Sequence, residues 1–143
     1  MAVLKSKRKE SQFEVFHFGF ATRKELTLFL MRNFGLREIQ PEWMWFVEDE
    51  KRNIMGLMRA MLLNISMANS IFPTNLRELE ERRIYQDKAI GNCNQILCEL
   101  QFALETLPVD INKFTRFANM MNHEISLLKG WRKADNKFKK SLG

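Results

Sequence analysis

The residues of this chain that could do chemistry are cations, and they are concentrated at its two ends. Residues 1–9 carry four cations and no acid, whereas residues 129–143 carry six cations and the single acid Asp135. Because the whole chain has a net charge of +6, the stretch 10–128 has a net charge of −3. Clustered lysine and arginine predict contact with a polyanion such as nucleic acid. The candidate phosphate-binding cations are Lys5, Lys7, Arg8, Lys9, Lys129, Arg132, Lys133, Lys137, Lys139 and Lys140.

An aromatic side chain lies among the C-terminal cations. Trp131 is the middle residue of the segment 129–133, whose sequence is KGWRK. Its ring could stack on an unpaired base while the neighbouring cations hold phosphates. The alternative is that the ring packs on Phe13 or Val3 at the end of a helical bundle. Trp131 therefore joins the candidate nucleic-acid-binding residues, with both roles open.

The residue inventory gives little support for catalysis or metal binding. His17 and His123 belong to different predicted helices, and neither has a cysteine or acid cluster at metal-ligand spacing. The chain has no glycine-rich phosphate loop and no nucleophile elbow of the G-x-S-x-G type. We therefore expect a protein that is not an enzyme and has no catalytic residue, no metal site and no cofactor.

Cysteine spacing and the short apolar runs favour a cytoplasmic protein without a membrane segment. Cys93 and Cys98 are five residues apart on a predicted helix, so their side chains point to different faces and are poorly placed to pair. The longest apolar runs are far shorter than a membrane span, and no apolar signal-peptide segment follows the N-terminal cations. We expect residues 1–143 to form a single domain with basic N- and C-terminal ends.

Apolar periodicity and capping signals predict four long helices. Ser11, which makes a capping box with Glu14, begins the first helix, and Asn75 and Asp110 are placed to cap the third and fourth. The short connections predict an all-α, antiparallel up-down-up-down four-helix bundle, which would bring both basic ends to one pole. The predicted bounds are 11–34, 41–69, 76–107 and 111–138.

Two local patterns bear on the packing of these helices. Arg83 and Gln86 fall at apolar seam positions of the third helix, where they either reach out to solvent or form a buried polar layer. Ile71 and Phe72 are apolar residues in the connection that contains Pro73. We expect both side chains to be tucked against the end of the bundle.

The chain also carries more large apolar residues than one bundle of this size needs. Twelve Phe and nine Met widen the apolar stripes of the first two helices beyond the face that a core requires. Proteins rarely leave large apolar faces uncovered. We therefore expect self-association, with a thicker core or a different partner chain as the alternatives.

Three segments resemble a family of small bacterial and phage four-helix-bundle proteins. The family includes proteins encoded within intervening sequences of 23S ribosomal RNA, and the accessory variability determinant of diversity-generating retroelements. The resemblance extends over nearly the whole chain in helix order and length. The segments are 5–11 (KSKRKES), 68–75 (ANSIFPTN) and 82–86 (RRIYQ).

What the resemblance implies is a ring-like homopentamer with a basic surface and no enzymatic activity. It implies an accessory role in which the protein binds a reverse transcriptase and template RNA to support mutagenic cDNA synthesis. DNA or an RNA/DNA hybrid is an alternative nucleic acid. The body of this chain is net acidic, whereas the accessory protein is basic throughout, so we expect contact at the basic pole. The rival hypothesis is a structural adaptor oligomer with no nucleic-acid role.

Overall fold

Helices account for the described chain apart from short connections, and no strand occurs among the described residues. The computed structural model describes the backbone of residues 2–142 and the side chains of residues 14–142. Two short 3-10 helices, Asn33–Gly35 and Pro41–Trp43, lie between the first two α-helices. The α-helices are α1 (Ala2–Met31), α2 (Met44–Ser70), α3 (Leu76–Thr106), α4 (Ile111–Ala134) and α5 (Asn136–Leu142).

Side-chain caps explain where α3 and α4 begin. The Asn75 side chain accepts a hydrogen bond from the backbone N–H of Glu78 at 2.9 Å, and Asp110 accepts one from Asn112 at 2.9 Å. Both predicted caps are confirmed. The predicted start at Ser11 is wrong, because α1 already begins at Ala2. No proline or glycine occurs among residues 2–10 to interrupt the helix before Ser11.

A left-handed turn ends α1 three residues earlier than predicted. Residues 33–35 have positive φ angles of 55°, 59° and 78°. Such a conformation is unfavourable for a residue with a Cβ atom, and at Phe34 it is stabilised by burial of the side chain. The Phe34 ring packs against Phe29 and Phe114, with 6.0 Å between ring centroids in each case. Core packing therefore holds this turn in place.

The four long helices pack as a helical bundle in which α1 and α3 each contact both α2 and α4. Between α2 and α3, the rings of Phe46 and Phe102 lie 5.8 Å apart. Further along, the Asn64 side chain donates to Asn92 at 2.8 Å.

Buried side chains from all four long helices form a continuous core along the middle of the bundle. Cys93 belongs to this core, with its Sγ atom 3.3 Å from Sδ of Met61, whereas Cys98 is exposed. No helix of the described part is both long and apolar enough to cross a membrane. Representative fully buried residues are Leu26, Leu30, Ile54, Met58, Ile65, Ile96, Met121 and Leu128.

The connection between α2 and α3 differs from the sequence prediction. Phe72 is 72% exposed and Ile71 is half-buried, while Pro73 occupies the inward position. The ring of Phe72 lies at the surface against Phe138 of α5, with 5.9 Å between centroids. The expectation that Phe72 is tucked under the bundle is wrong, because Pro73 fills that space instead.

Candidate nucleic-acid interface

A buried arginine–aspartate pair joins the beginning of α3 to the end of α4. Arg82 donates from Nε to one oxygen of Asp135 at 2.8 Å and from a terminal nitrogen to the other at 3.1 Å. Their side chains are only 3% and 2% exposed. Two parallel hydrogen bonds fix the relative orientation of a planar guanidinium and a carboxylate. Burying two charges is costly, however, unless their remaining polar atoms also find partners.

Three further contacts offset that cost. The Gln86 amide donates to Asp135 at 2.8 Å, and Arg82 donates to the backbone oxygen of Ile71 at 3.0 Å. The guanidinium also lies over the Trp131 ring, 5.0 Å from its centre. Cation–π contacts of this kind are favourable, and more so when they are desolvated. We call Arg82, Gln86 and Asp135 the buried polar cluster. It connects α3, the end of α4 and the preceding connection.

The buried polar cluster shows whether Arg83 and Gln86 reach out to solvent or form a buried polar layer, the two alternatives that the sequence left open. Gln86 is fully buried, so the polar-layer alternative is confirmed for that residue. Arg83 is half-buried and hydrogen-bonds to Asn136 near the surface. The buried arginine is its neighbour, Arg82, which the sequence interpretation did not select.

Trp131 has no open face for a nucleic-acid base. Its side chain is 6% exposed, and the guanidinium of Arg82 lies over its ring. The base-stacking role is therefore corrected to a structural one, because burial leaves no room for a stacked base. Phe13 and Val3 were the predicted packing partners of Trp131, and both lie outside the part of the chain whose side chains the structure describes.

The six predicted C-terminal cations are all exposed, on the last turns of α4 and on α5. Asp135 is the single acid among residues 129–143, and it is buried against Arg82 rather than lying among these cations. One member, Arg132, pairs with Asp87 at 3.2 Å. The tail therefore presents almost entirely positive charge to solvent. We call the following residues the C-terminal basic set: Lys129, Arg132, Lys133, Lys137, Lys139 and Lys140.

The short helix α5 is held against the buried polar cluster. The backbone N–H of Phe138 donates to the carbonyl oxygen of Asp135 at 3.0 Å. The Phe138 ring lies 5.8 Å from the guanidinium of Arg82 and contacts Phe72. The cations of α5 are thus carried on a docked helix rather than on a free tail.

The predicted N-terminal cations share helix α1, whose backbone is helical from Ala2 onward. Their side chains lie outside the part of the chain whose side chains the structure describes. They therefore remain candidates on the sequence pattern alone. They are Lys5, Lys7, Arg8 and Lys9.

Two carboxyl groups are buried away from the charged surface. Glu124 is fully buried, and neither of its oxygens has a hydrogen-bond partner among the described residues. Burial, with a smaller effect of the Glu14 charge, raises the pKa of Glu124 to about 8. Burial also raises the pKa of Glu50 to about 7, and its hydrogen bond and charge interaction with Glu99 add to the rise. Both carboxyl groups therefore hold a proton well above their ordinary range.

Neither protonated carboxyl belongs to a wider cluster of metal-ligating groups. Among the side chains of residues 14–142, the structure contains no group of three histidine, cysteine or acidic side chains that could hold a metal ion. The chain matches no protein-family model, no curated protein and no solved structure. We therefore infer function from the residues, their geometry and the resemblance carried by the three sequence segments.

Replacing Glu124 with glutamine should make folding less sensitive to pH. The folded chain keeps this proton up to about pH 8, whereas an ordinary glutamate releases it near 4.5. Between these values the folded state binds more protons, so stability is lost as pH rises, by a few kcal/mol for a shift of this size. Glu124→Gln should match the wild type near pH 5 and exceed it at pH 8, measured by urea denaturation.

The exposed Glu80 provides the matched control for this comparison. Glu80→Gln has the same change in chemistry and should leave the pH dependence of the urea midpoint unchanged. Identical pH dependence in the wild type and Glu124→Gln would show that the Glu124 carboxyl ionises normally in the folded chain.

Proposed function

We propose that this chain is a non-enzymatic accessory protein that binds RNA and a reverse transcriptase in a diversity-generating retroelement. The observation that supports RNA binding is the exposed C-terminal basic set, since the single acid within residues 129–143 is buried in an ion pair. Lysine and arginine side chains exposed in this way attract phosphates of single-stranded RNA, DNA or an RNA/DNA hybrid. The reverse transcriptase and the phage or bacterial cytoplasmic setting enter the proposal through the family resemblance.

The proposed architecture is an antiparallel up-down-up-down bundle. Contacts between α1 and α4 support it: Phe18 faces His123 at 4.5 Å between ring centroids, and Glu25 faces Arg116 at 2.8 Å. Residue numbers thus rise on one helix as they fall on the other. In this topology the start of α1 and the end of α4 share a pole. The N-terminal cations would then add to the C-terminal basic set.

We further propose that the subunits form a homo-oligomer, a pentamer as the resemblance implies. Trp45 is 71% exposed and Leu63 is 61% exposed on α2. They are separated by 18 residues, or five helical turns, and therefore lie on the same face. Covering these two apolar side chains is favourable, although the exposed Arg52 and Arg59 lie on the same face between them. This observation also suits the alternative function, a structural adaptor without a nucleic-acid role.

Two lysines on the outer face of α2 should disrupt self-association. Trp45→Lys with Leu63→Lys would replace the two large apolar side chains of the proposed interface with charges, so the mass measured by multi-angle light scattering should fall toward the 17.0 kDa subunit. Phe72→Lys is the matched control, since Phe72 is equally exposed but lies off this face. A wild-type chain that is itself a monomer, or a double variant of unchanged mass, would exclude this interface.

Neutralising part of the C-terminal basic set should weaken RNA binding and flatten its salt dependence. The substitutions are Lys133→Gln, Lys139→Gln and Lys140→Gln, which avoid the ion-paired Arg132. Three lost phosphate contacts should lower the slope of log affinity against log salt by about 2, because fewer counterions are released. Fluorescence anisotropy of a labelled single-stranded RNA across salt concentrations measures both effects.

A control variant that loses the same number of cations elsewhere separates the effect of the C-terminal basic set on RNA affinity from the effect of net charge. Lys24, Arg52 and Arg59 are exposed on the body of the bundle, and their replacement by glutamine should leave RNA affinity nearly unchanged. Equal losses in both triple variants would show that binding depends on net charge alone. A wild-type chain that binds no RNA even at low salt would favour the structural adaptor.

A further inference from the structure

A second cluster of cations lies at the other end of α4, around a groove of about 310 Å³. The groove lies between the end of α1 and the beginning of α4. Arg32, Lys113 and Arg116 line it together with one acid, Glu25. Three cations and one acid leave the groove with a net charge of +2.

Two of these three cations have no partner within the described part of the chain. Arg116 donates to Glu25 at 2.8 Å, so this pair is already neutral. No ion pair or side-chain hydrogen bond among the described residues involves Arg32 or Lys113. The Lys113 ammonium lies beside Gly35, where a Cβ atom would be only 3.2 Å from Nζ. The glycine therefore leaves room for the ammonium at the groove.

The remaining surface of the groove is apolar and well packed. Phe29 and Phe117 lie with their ring centroids 4.8 Å apart, and Phe29 also packs on Phe114 at 5.5 Å. Leu28 is exposed and adds an accessible apolar wall. Volumes from about 300 Å³ upward are typical of sites for small organic molecules. The groove thus combines unpaired positive charge with an apolar wall.

We propose that this groove binds the phosphomonoester group of a small organic compound. A phosphomonoester carries a charge of about −1.5 to −2 at neutral pH, which complements the two unpaired cations better than a singly charged carboxylate does. The Arg32 guanidinium suits two phosphate oxygens, and the Lys113 ammonium adds a third donor. Leu28 contacts the organic part of the ligand.

This site lies apart from the C-terminal basic set and does not depend on RNA binding there. With a rise of 1.5 Å per residue, Lys113 and Lys133 are roughly 30 Å apart along α4. A free phosphomonoester and the terminal phosphate of an RNA strand both present the required group. A 5′-phosphorylated dinucleotide that displaces bound phenyl phosphate from the groove would show that the end of an RNA strand can supply the phosphate group. A dinucleotide that does not displace phenyl phosphate would show that the ligand is a free small compound.

Isothermal titration calorimetry on the full chain tests the site with phenyl phosphate as the probe. At low millimolar concentration phenyl phosphate should bind, benzoate should bind at least roughly tenfold more weakly, and phenol should give no heat of binding. Arg32→Gln with Lys113→Gln should weaken phenyl phosphate binding by roughly tenfold or more. Glu25→Gln removes the acid, releases Arg116 and should tighten binding.

The matched control is Arg52→Gln with Arg59→Gln, which removes the same charge from the exposed face of α2. This variant should bind phenyl phosphate within about twofold of the wild type, since neither arginine lines the groove. The proposal is overturned if the wild type does not bind phenyl phosphate, if benzoate binds equally well, or if both double variants lose the same affinity.

Discussion

The ion pair between Arg82 and Asp135 is the interaction on which the organisation of the basic end depends. Its two parallel hydrogen bonds are buried, and Gln86 and a backbone carbonyl satisfy further polar atoms. A buried pair of this kind adds little net stability, but removing one partner leaves an uncompensated charge that costs about 3–5 kcal/mol. The pair therefore constrains the position of the end of α4 relative to the beginning of α3.

That constraint links the core of the bundle to the proposed RNA-binding surface. Asp135 lies where α4 ends and α5 begins, so the residue that anchors the helix end is also the only acid among the terminal cations. Its burial removes an acid from the surface and directs α5 against Phe72 and Arg82. Cations held on a docked helix lose less conformational entropy on binding RNA than cations on a flexible tail.

The four long helices and the caps Asn75 and Asp110 follow from local patterns, because capping and apolar periodicity depend on residues close in sequence. The apolar periodicity placed Arg83 and Gln86 at seam positions of α3. The structure buries Gln86 but turns Arg82 and Ala89 inward instead of Arg83. The charged neighbours of Trp131 left two roles open for it, and the structure places it on the buried face of α4.

The groove between α1 and α4 could not have been found from the sequence. Its residues Arg32 and Lys113 are separated by most of the chain, and they approach only because α1 packs against α4. The left-handed turn at Phe34 gave no local signal either, since a phenylalanine with positive φ is stable only through its packing with Phe29 and Phe114. In both cases long-range contacts determine the local geometry.

The RNA affinity of the Asp135→Asn variant tests most directly whether the buried ion pair organises the RNA-binding end. The measurement is made at low salt and at a temperature where circular dichroism shows the variant to be folded. Removing an acid raises the net charge, so electrostatic attraction alone would strengthen RNA binding. We predict weaker binding, because the loss of the ion pair releases α5 and its cations from the bundle. Unchanged or tighter binding by the folded variant would contradict this account.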